Sequence, residues 1–177
     1  MRKLSAIMFT DIVGYVTLMG EDESKALDLL DKNRTLIKSS IEQFRGEWLK
    51  EMGDGTLSCF ASAVDAVNCA LGIQQTLLDD PDLTLRIGIH VENVVFESGD
   101  AFGDGVNVAS RIEPLAEPGG ICVSGRVYSY IMDRPDIESV FLGEKELKHV
   151  KRPIKIYALK RVNLQVPAVD PSASAEA

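Results

Sequence analysis

The chain has 177 residues, 45% of them apolar and 26% charged, with a formal net charge of -8. That length suits one well-buried domain, and the balance excludes a disordered or fibrous chain. The acidic surplus argues against general affinity for nucleic acid, which needs a basic face, and no apolar run approaches the roughly 20 residues of a membrane-spanning helix.

In chain order, "LSAIMF" at 4–9 is a short apolar run ended by Thr10 and Asp11, the pattern of a buried strand. It follows an N-terminus without a cleavage-site pattern, so the expected location is cytoplasmic. From Asp22 to Phe44, Ala26, Leu30, Ile37, Ile41 and Phe44 recur at helical steps and predict an inward-facing stripe. "EWLKEM" and "TLSCF" flank Gly53-Asp54-Gly55, and Asp-Gly between two strand-like runs predicts a hairpin. Val64, Val67, Leu71, Gln74 and Leu78 predict a second helix. "TLRIGIHV" alternates, with Leu85, Ile87, Ile89 and Val91 on one face and Arg86 and His90 on a polar face. A third helix is expected near Val106 to Leu115, followed by further short elements through "YALK" at 157–160.

Strand, helix, strand, strand, helix, strand is the order of a ferredoxin-like split βαβ core, so the expected fold class is α+β, βαββαβ, with an added C-terminal helix and strands. The catalytic or binding domain is expected over 1–161 and a flexible tail or linker over 162–177, where "VNLQVPAVDPSASAEA" lacks periodicity. Cys59, Cys69 and Cys122 are odd in number and set among apolar or small residues, which fits reduced core thiols.

In the split βαβ arrangement the third strand lies antiparallel beside the first, so Asp11 and Asp54 converge at one sheet edge. Two carboxylates held together repel unless a proton or a cation lies between them, and magnesium takes one or two carboxylates with phosphate and water. The same residues also suit a turn and a loop cap with no metal. Asn107 and Arg111 in "GDGVNVASRIE" fall at i and i+4, either a pair that grips a sugar or phosphate oxygen or an ordinary solvated helix face.

"FTDIVGY", "KEMGDG", "LRIGIH" and "FGDGVNVASRIEPLAEPGGICVSGRVY", in that order across residues 4–160, resemble the class III nucleotidyl cyclase catalytic domain of bacterial adenylate cyclase type. The resemblance implies that Asp11, Asp54 and the carbonyl of Ile12 bind two divalent ions, Mg²⁺ or Mn²⁺. It implies that Lys50 and Asp100, the acid seven residues before Asn107, select adenine. Lysine donates to the ring N1 and the carboxylate accepts from the 6-amino group, while guanine presents the opposite pattern. Asn107 would orient the ribose, Arg111 would stabilise the transition state, and Arg86 would hold the β- and γ-phosphates. Lys148 in "ELKHV" is the candidate for a further phosphate contact, with Lys145, Lys151 and Arg152 close by and His149 where a glycine is frequent.

The implied reaction is attack of the ribose 3'-oxygen of ATP on the α-phosphorus, giving cyclic AMP and pyrophosphate at sites shared by a homodimer. One departure is "GIHVENV": Glu92 and Asn93 stand where relatives usually have a glycine and then an acid, and if that glycine serves close backbone approach or positive φ, Glu92 strains the strand and perturbs the nearby site. A second is the short segment from Val95 to Asp100, which implies a reduced dimer arm and modest dimer affinity. The alternative reading is a catalytically weak or silent cyclase-like module that binds nucleotide and regulates. A guanylate cyclase is disfavoured by Lys50 and Asp100, and a plain ferredoxin-like binding domain leaves the paired acids unexplained.

Overall fold

The computed structural model describes residues 1–160. The expected tail at 162–177 lies outside the described residues. An eight-stranded sheet carries five α-helices. The strands are β1 (Arg2–Ile12), β2 (Glu47–Met52), β3 (Gly55–Phe60), β4 (Leu85–Glu97), β5 (Asp100–Phe102), β6 (Ile121–Ser124), β7 (Glu138–Lys145) and β8 (Ile154–Lys160). The helices are α1 (Tyr15–Glu21), α2 (Glu23–Gln43), α3 (Ala63–Leu77), α4 (Asp104–Ile112) and α5 (Gly125–Ile131), and a 3-10 turn at Glu113–Leu115 continues α4. The sheet order is β2-β3-β1-β4-β6-β8-β7, with β5 hydrogen-bonded to β4. The block β2-β3-β1-β4 is antiparallel throughout, the pairing required of a ferredoxin-like core.

The second helix in the chain, α2, starts where the sequence allows. The Asp22 side chain accepts from the Lys25 amide and satisfies an otherwise unpaired donor of the first turn. Its buried stripe is Ala26, Leu29, Asn33, Ile37 and Ile41, so Leu30 and Phe44 sit at the margin of the face rather than on it. The short helix α1 is not among the expected elements: none of its residues is fully buried, and its apolar side, Tyr15 and Leu18, packs only half-buried against the core. In α3, Gln74 faces inward and donates to the carbonyls of Leu85 and Gly120, fastening the helix to β4 and to the loop before β6.

The hairpin between β2 and β3 forms as expected, but its two loop residues are Gly53 and Asp54. Met52 pairs with Gly55, and Gly53 takes the left-handed conformation at φ 64°. Glycine at the first loop position matches a type II′ turn, so Gly-Asp, not Asp-Gly, makes the reversal.

The main apolar core lies between one sheet face and α2, α3 and α5. On the other face, α4 covers β1 and β4 through Ile7, Val94 and Ala109, while Val108 and Ile112 pack over β6 and β8. This corrects the expected polar face of β4. His90 is only 1% exposed, because α4 and its extension close over that face. The three cysteines are free and buried as expected, and burial pushes the Cys59 thiol up to about 11 and those of Cys69 and Cys122 up to about 12.

Candidate active site

Antiparallel register places the site residues. Lys50 pairs with Leu57, Leu57 with Phe9, and Phe9 with Gly88, so these four form one row across the sheet. Asp11 lies two residues beyond Phe9 on the same face and pairs with Arg86. One face of the sheet therefore carries an apolar pocket and, next to it, an acidic corner.

At the corner the expected convergence of Asp11 and Asp54 is present. The tight hairpin brings Asp54 back over the end of β1, where its Oδ2 accepts from the Ile12 amide at 3.0 Å. Burial raises the Asp54 pKa above the ordinary carboxylate value; the Ile12 amide opposes this, and the negative charge of Asp11 adds to it. Asp11 Oδ1 is buried with no donor among the described residues.

A third acid joins them. Glu113, in the 3-10 turn after α4, is 6% exposed and its Oε2 also lacks a donor. Its backbone crosses close above β4: a Cβ at Gly88 would lie 2.4 Å from the Glu113 amide nitrogen, so only glycine admits the crossing. Burial pushes the Glu113 carboxyl up to about 9, with Asp11 adding to the shift by hydrogen bond and charge and Arg86 opposing it. Nothing in the sequence marks Glu113, since a 3-10 turn of three residues has no periodicity to show which side is covered.

A titration consequence follows for metal-free protein. The folded-state pKa of Glu113 is raised, so between its ordinary value of 4.5 and about 9 the native state holds more protons than the unfolded chain. Its contribution to stability is full below 4.5 and falls as pH rises through that window. Glu113→Gln should raise the melting midpoint at pH 8 by several degrees, with the gap closing towards pH 5. Melting curves in a chelating buffer across that range check the sign; a variant that melts lower at pH 8 contradicts it.

Two carboxylates with an unsatisfied oxygen and a repulsive neighbour fit a hard divalent cation, whose charge relieves the repulsion. Among the described residues no group of three or more His, Cys, Asp or Glu side chains is placed to hold a metal ion. Magnesium takes few protein ligands and keeps places for phosphate and water. Asp11, Asp54 and the Ile12 carbonyl are the groups available to hold it.

The neighbouring pocket encloses about 430 Å³. Phe9, Leu57 and Val106 supply apolar walls, and Lys50, Asn107 and Ser110 supply polar edges. Lys50 Nζ stands 2.9 Å from Asp100 Oδ2 at its rim, and the lysine holds the Asp100 carboxyl below its ordinary range. The Ser98-Gly99 turn, both residues at positive φ, brings β5 back along β4 and presents Asp100 there. Asn107 Nδ2 donates to the His149 carbonyl at 3.3 Å, and Arg111, one turn further along α4, has its Nε buried without a partner among the described residues.

Other expected residues are less directly placed. Arg86 donates from Nε to the Ala116 carbonyl at 2.9 Å, which holds its stem beside Glu113. Lys148 is exposed in the turn before His149. Glu92 is not strained: it lies in regular β pairing opposite Ser5, outside the left-handed region, with its carboxylate in contact with Arg152. The acidic corner and the pocket share no lining residue.

A ferredoxin-like sheet with paired acids at one corner and a lysine-aspartate pair beside an apolar pocket defines an α+β domain with a candidate site on one sheet face. The model of the adenylate and guanylate cyclase catalytic domain matches residues 3–161, and the chain belongs to that family. A protein of Rhizobium meliloti named putative adenylate cyclase 3 is 39% identical over 164 residues, covering 88% of this chain and 28% of that protein. A pH-sensitive adenylate cyclase of Mycobacterium tuberculosis is 23% identical over 88% of this chain and 40% of its own length. This chain thus spans well under half of these curated relatives. The crystal structure of an adenylate/guanylate cyclase/hydrolase from Silicibacter pomeroyi superposes with a TM-score of 0.81 at 39% identity, over 89% of this chain and 96% of that one. No described helix is long and apolar enough to cross a membrane.

Proposed function

We propose that this domain is an adenylate cyclase that converts ATP to 3',5'-cyclic AMP and pyrophosphate. The domain is taken as residues 1–161, and its active sites as shared between two copies of the chain. The observation that carries the reading is the Lys50–Asp100 pair at 2.9 Å over the apolar pocket, a fixed donor beside a fixed acceptor. Lysine offers a proton to adenine N1, the carboxylate accepts from the 6-amino group, and the flat base fills the apolar space.

Asn107, on the same pocket wall, would take a ribose oxygen. Arg111 lies at i+4 from it and offers a guanidinium to the charge that develops as the 3'-oxygen attacks the α-phosphorus. Arg86 and Lys148 are assigned to the β- and γ-phosphates. The Ala116 carbonyl leaves the two terminal nitrogens of Arg86 for that contact. Two divalent ions on Asp11, Asp54 and the Ile12 carbonyl would lower the 3'-hydroxyl pKa and brace the triphosphate. Asp54 keeps its hydrogen bond from Ile12, which fixes the carboxylate's direction without consuming its second oxygen.

The test is product formation from ATP and, separately, from GTP, with Mg²⁺ and with Mn²⁺, at several protein concentrations. Cyclic AMP formed at a specific activity that rises with concentration supports the reading. Folded protein that yields no cyclic product under any of these conditions leaves the regulatory-module alternative. Lys50→Ala should lower kcat/KM for ATP about 10- to 100-fold, the worth of a hydrogen bond to a charged group, and narrow the ATP-to-GTP ratio. An unchanged ratio in steady-state kinetics would refute base selection by Lys50.

A further inference from the structure

The loop 146–153, between β7 and β8, is fastened to the rest of the fold at several points. Leu147 and Val150 pack into the cluster that holds Val108 and Ile112 of α4. The His149 carbonyl accepts from Asn107, and His149 itself adopts φ 64°, a conformation that L side chains disfavour. Arg152 then makes two directed contacts with one guanidinium: Nη1 to Asp104 Oδ2 at 2.9 Å and Nη2 to Glu92 Oε1 at 2.6 Å. Asp104 is the first residue of α4, so one side chain joins the loop, the start of the helix and the sheet.

Glu92 is the anchor of this bridge. Its side chain is only 15% exposed, and α4 passes so close that a Cβ at Gly105 would lie 2.8 Å from the Glu92 Cβ. Several groups face the carboxylate: Arg152 is nearest, Arg126 Nη1 is at 3.5 Å, and His90 Nε2 is at 3.4 Å. His90 is buried, and burial lowers its pKa, so the positive charge opposite Glu92 comes from the two arginines. A planar guanidinium shared between two carboxylates has less freedom to turn than one held by a single partner.

We propose that Glu92 is a positioning residue: through Arg152 it sets loop 146–153 and the first turn of α4 against the sheet. What is positioned, on the adenylate cyclase reading on which this rests, is Lys148 for the phosphates and Asn107 for the ribose. The residue that departs from the family pattern is thus part of the site's support.

Glu92→Gln, Arg152→Gln and the double variant test the proposal by two readouts. The first, hydrogen-deuterium exchange of the nucleotide-free chain, needs no activity. Amides of 146–153 should exchange about tenfold faster in each variant, while those of α3 keep their rates. The second is kinetic: kcat for ATP should fall about tenfold with KM changed less than about threefold, as expected for misplaced groups. The double variant should be no worse than Arg152→Gln alone, because both residues act through one bridge. Arg152→Lys, which keeps the charge but not the two-armed geometry, should recover only part of the rate.

Unchanged exchange of 146–153 in Glu92→Gln, or losses that multiply in the double variant, would overturn the proposal. Should Glu92→Gln fail to fold, Asp104→Asn at the exposed arm must loosen the same loop, and protection at the wild-type level there counts against it equally. A wild-type chain without cyclase activity sinks the adenylate cyclase reading alone, since the exchange result still decides the bridge.

Discussion

Asp11→Ala should leave a folded chain whose rate of cyclic AMP formation is lower by roughly three orders of magnitude. Removing a ligand of a catalytic cation forfeits several kcal/mol of transition-state stabilisation, and each 1.36 kcal/mol is tenfold in rate. The fold should not suffer, because Asp11 is electrostatically unfavourable in the free chain. Its charge helps raise the pKa of Asp54 and of Glu113, and relief of that repulsion offsets the loss of its hydrogen bond with the Glu113 carboxyl. Melting in chelator should therefore change little. The stabilisation that Mn²⁺ with nucleotide gives the wild type by binding only the folded state should disappear. Turnover within tenfold of wild type, measured on protein with normal melting, would show that Asp11 is not a metal ligand of the reaction.

The same electrostatics explains what the sequence could and could not disclose. Strand order and the meeting of Asp11 with Asp54 follow from patterns that sequence records well: alternation along β4, helical spacing along α2 and α3, and glycine at the reversal. Once the split βαβ order is recognised, antiparallel pairing of β1 with β3 leaves the two acids nowhere else to go. Lys50 and Asp100, by contrast, are fifty residues apart, and only the family resemblance linked them before the structure placed them 2.9 Å apart.

Period-2 alternation marks a polar face of β4 but not whether that face is covered. Arg86, Gly88, His90 and Glu92 alternate as on an exposed face, yet α4 lies over them, and what distinguishes a covered polar face is tertiary. Gly88 is the trace of that covering, because its missing side chain admits the Glu113 backbone. Expected strain at Glu92 rested on the idea that glycine is used for its backbone freedom. The backbone there is ordinary β, and the side chain finds room and charge compensation beside Gly105 and Arg152.

Mixing Asp11→Ala chains with Arg111→Ala chains should recover activity that neither has alone. The acidic corner and the Lys50 pocket lie side by side on one face without sharing a lining residue, and on the shared-site proposal each is a half-site that a second copy completes. If each site takes its acids from one chain and Arg111 from the other, a mixed dimer has one doubly damaged site and one intact site. Random re-pairing makes half the dimers mixed, so recovery should reach roughly a quarter of the wild-type rate per chain, provided the pairing is two-fold. Mass measurements on the mixture establish that mixed dimers are present. Given that, a rate no higher than the sum of the parents would place Asp11 and Arg111 in the same site of one chain, and the shared-site reading would fall. Dilution supplies the independent arm: if a modest interface completes the site, specific activity should drop as the dimer dissociates, and it should do so in the wild type and in the recovered mixture over the same concentration range.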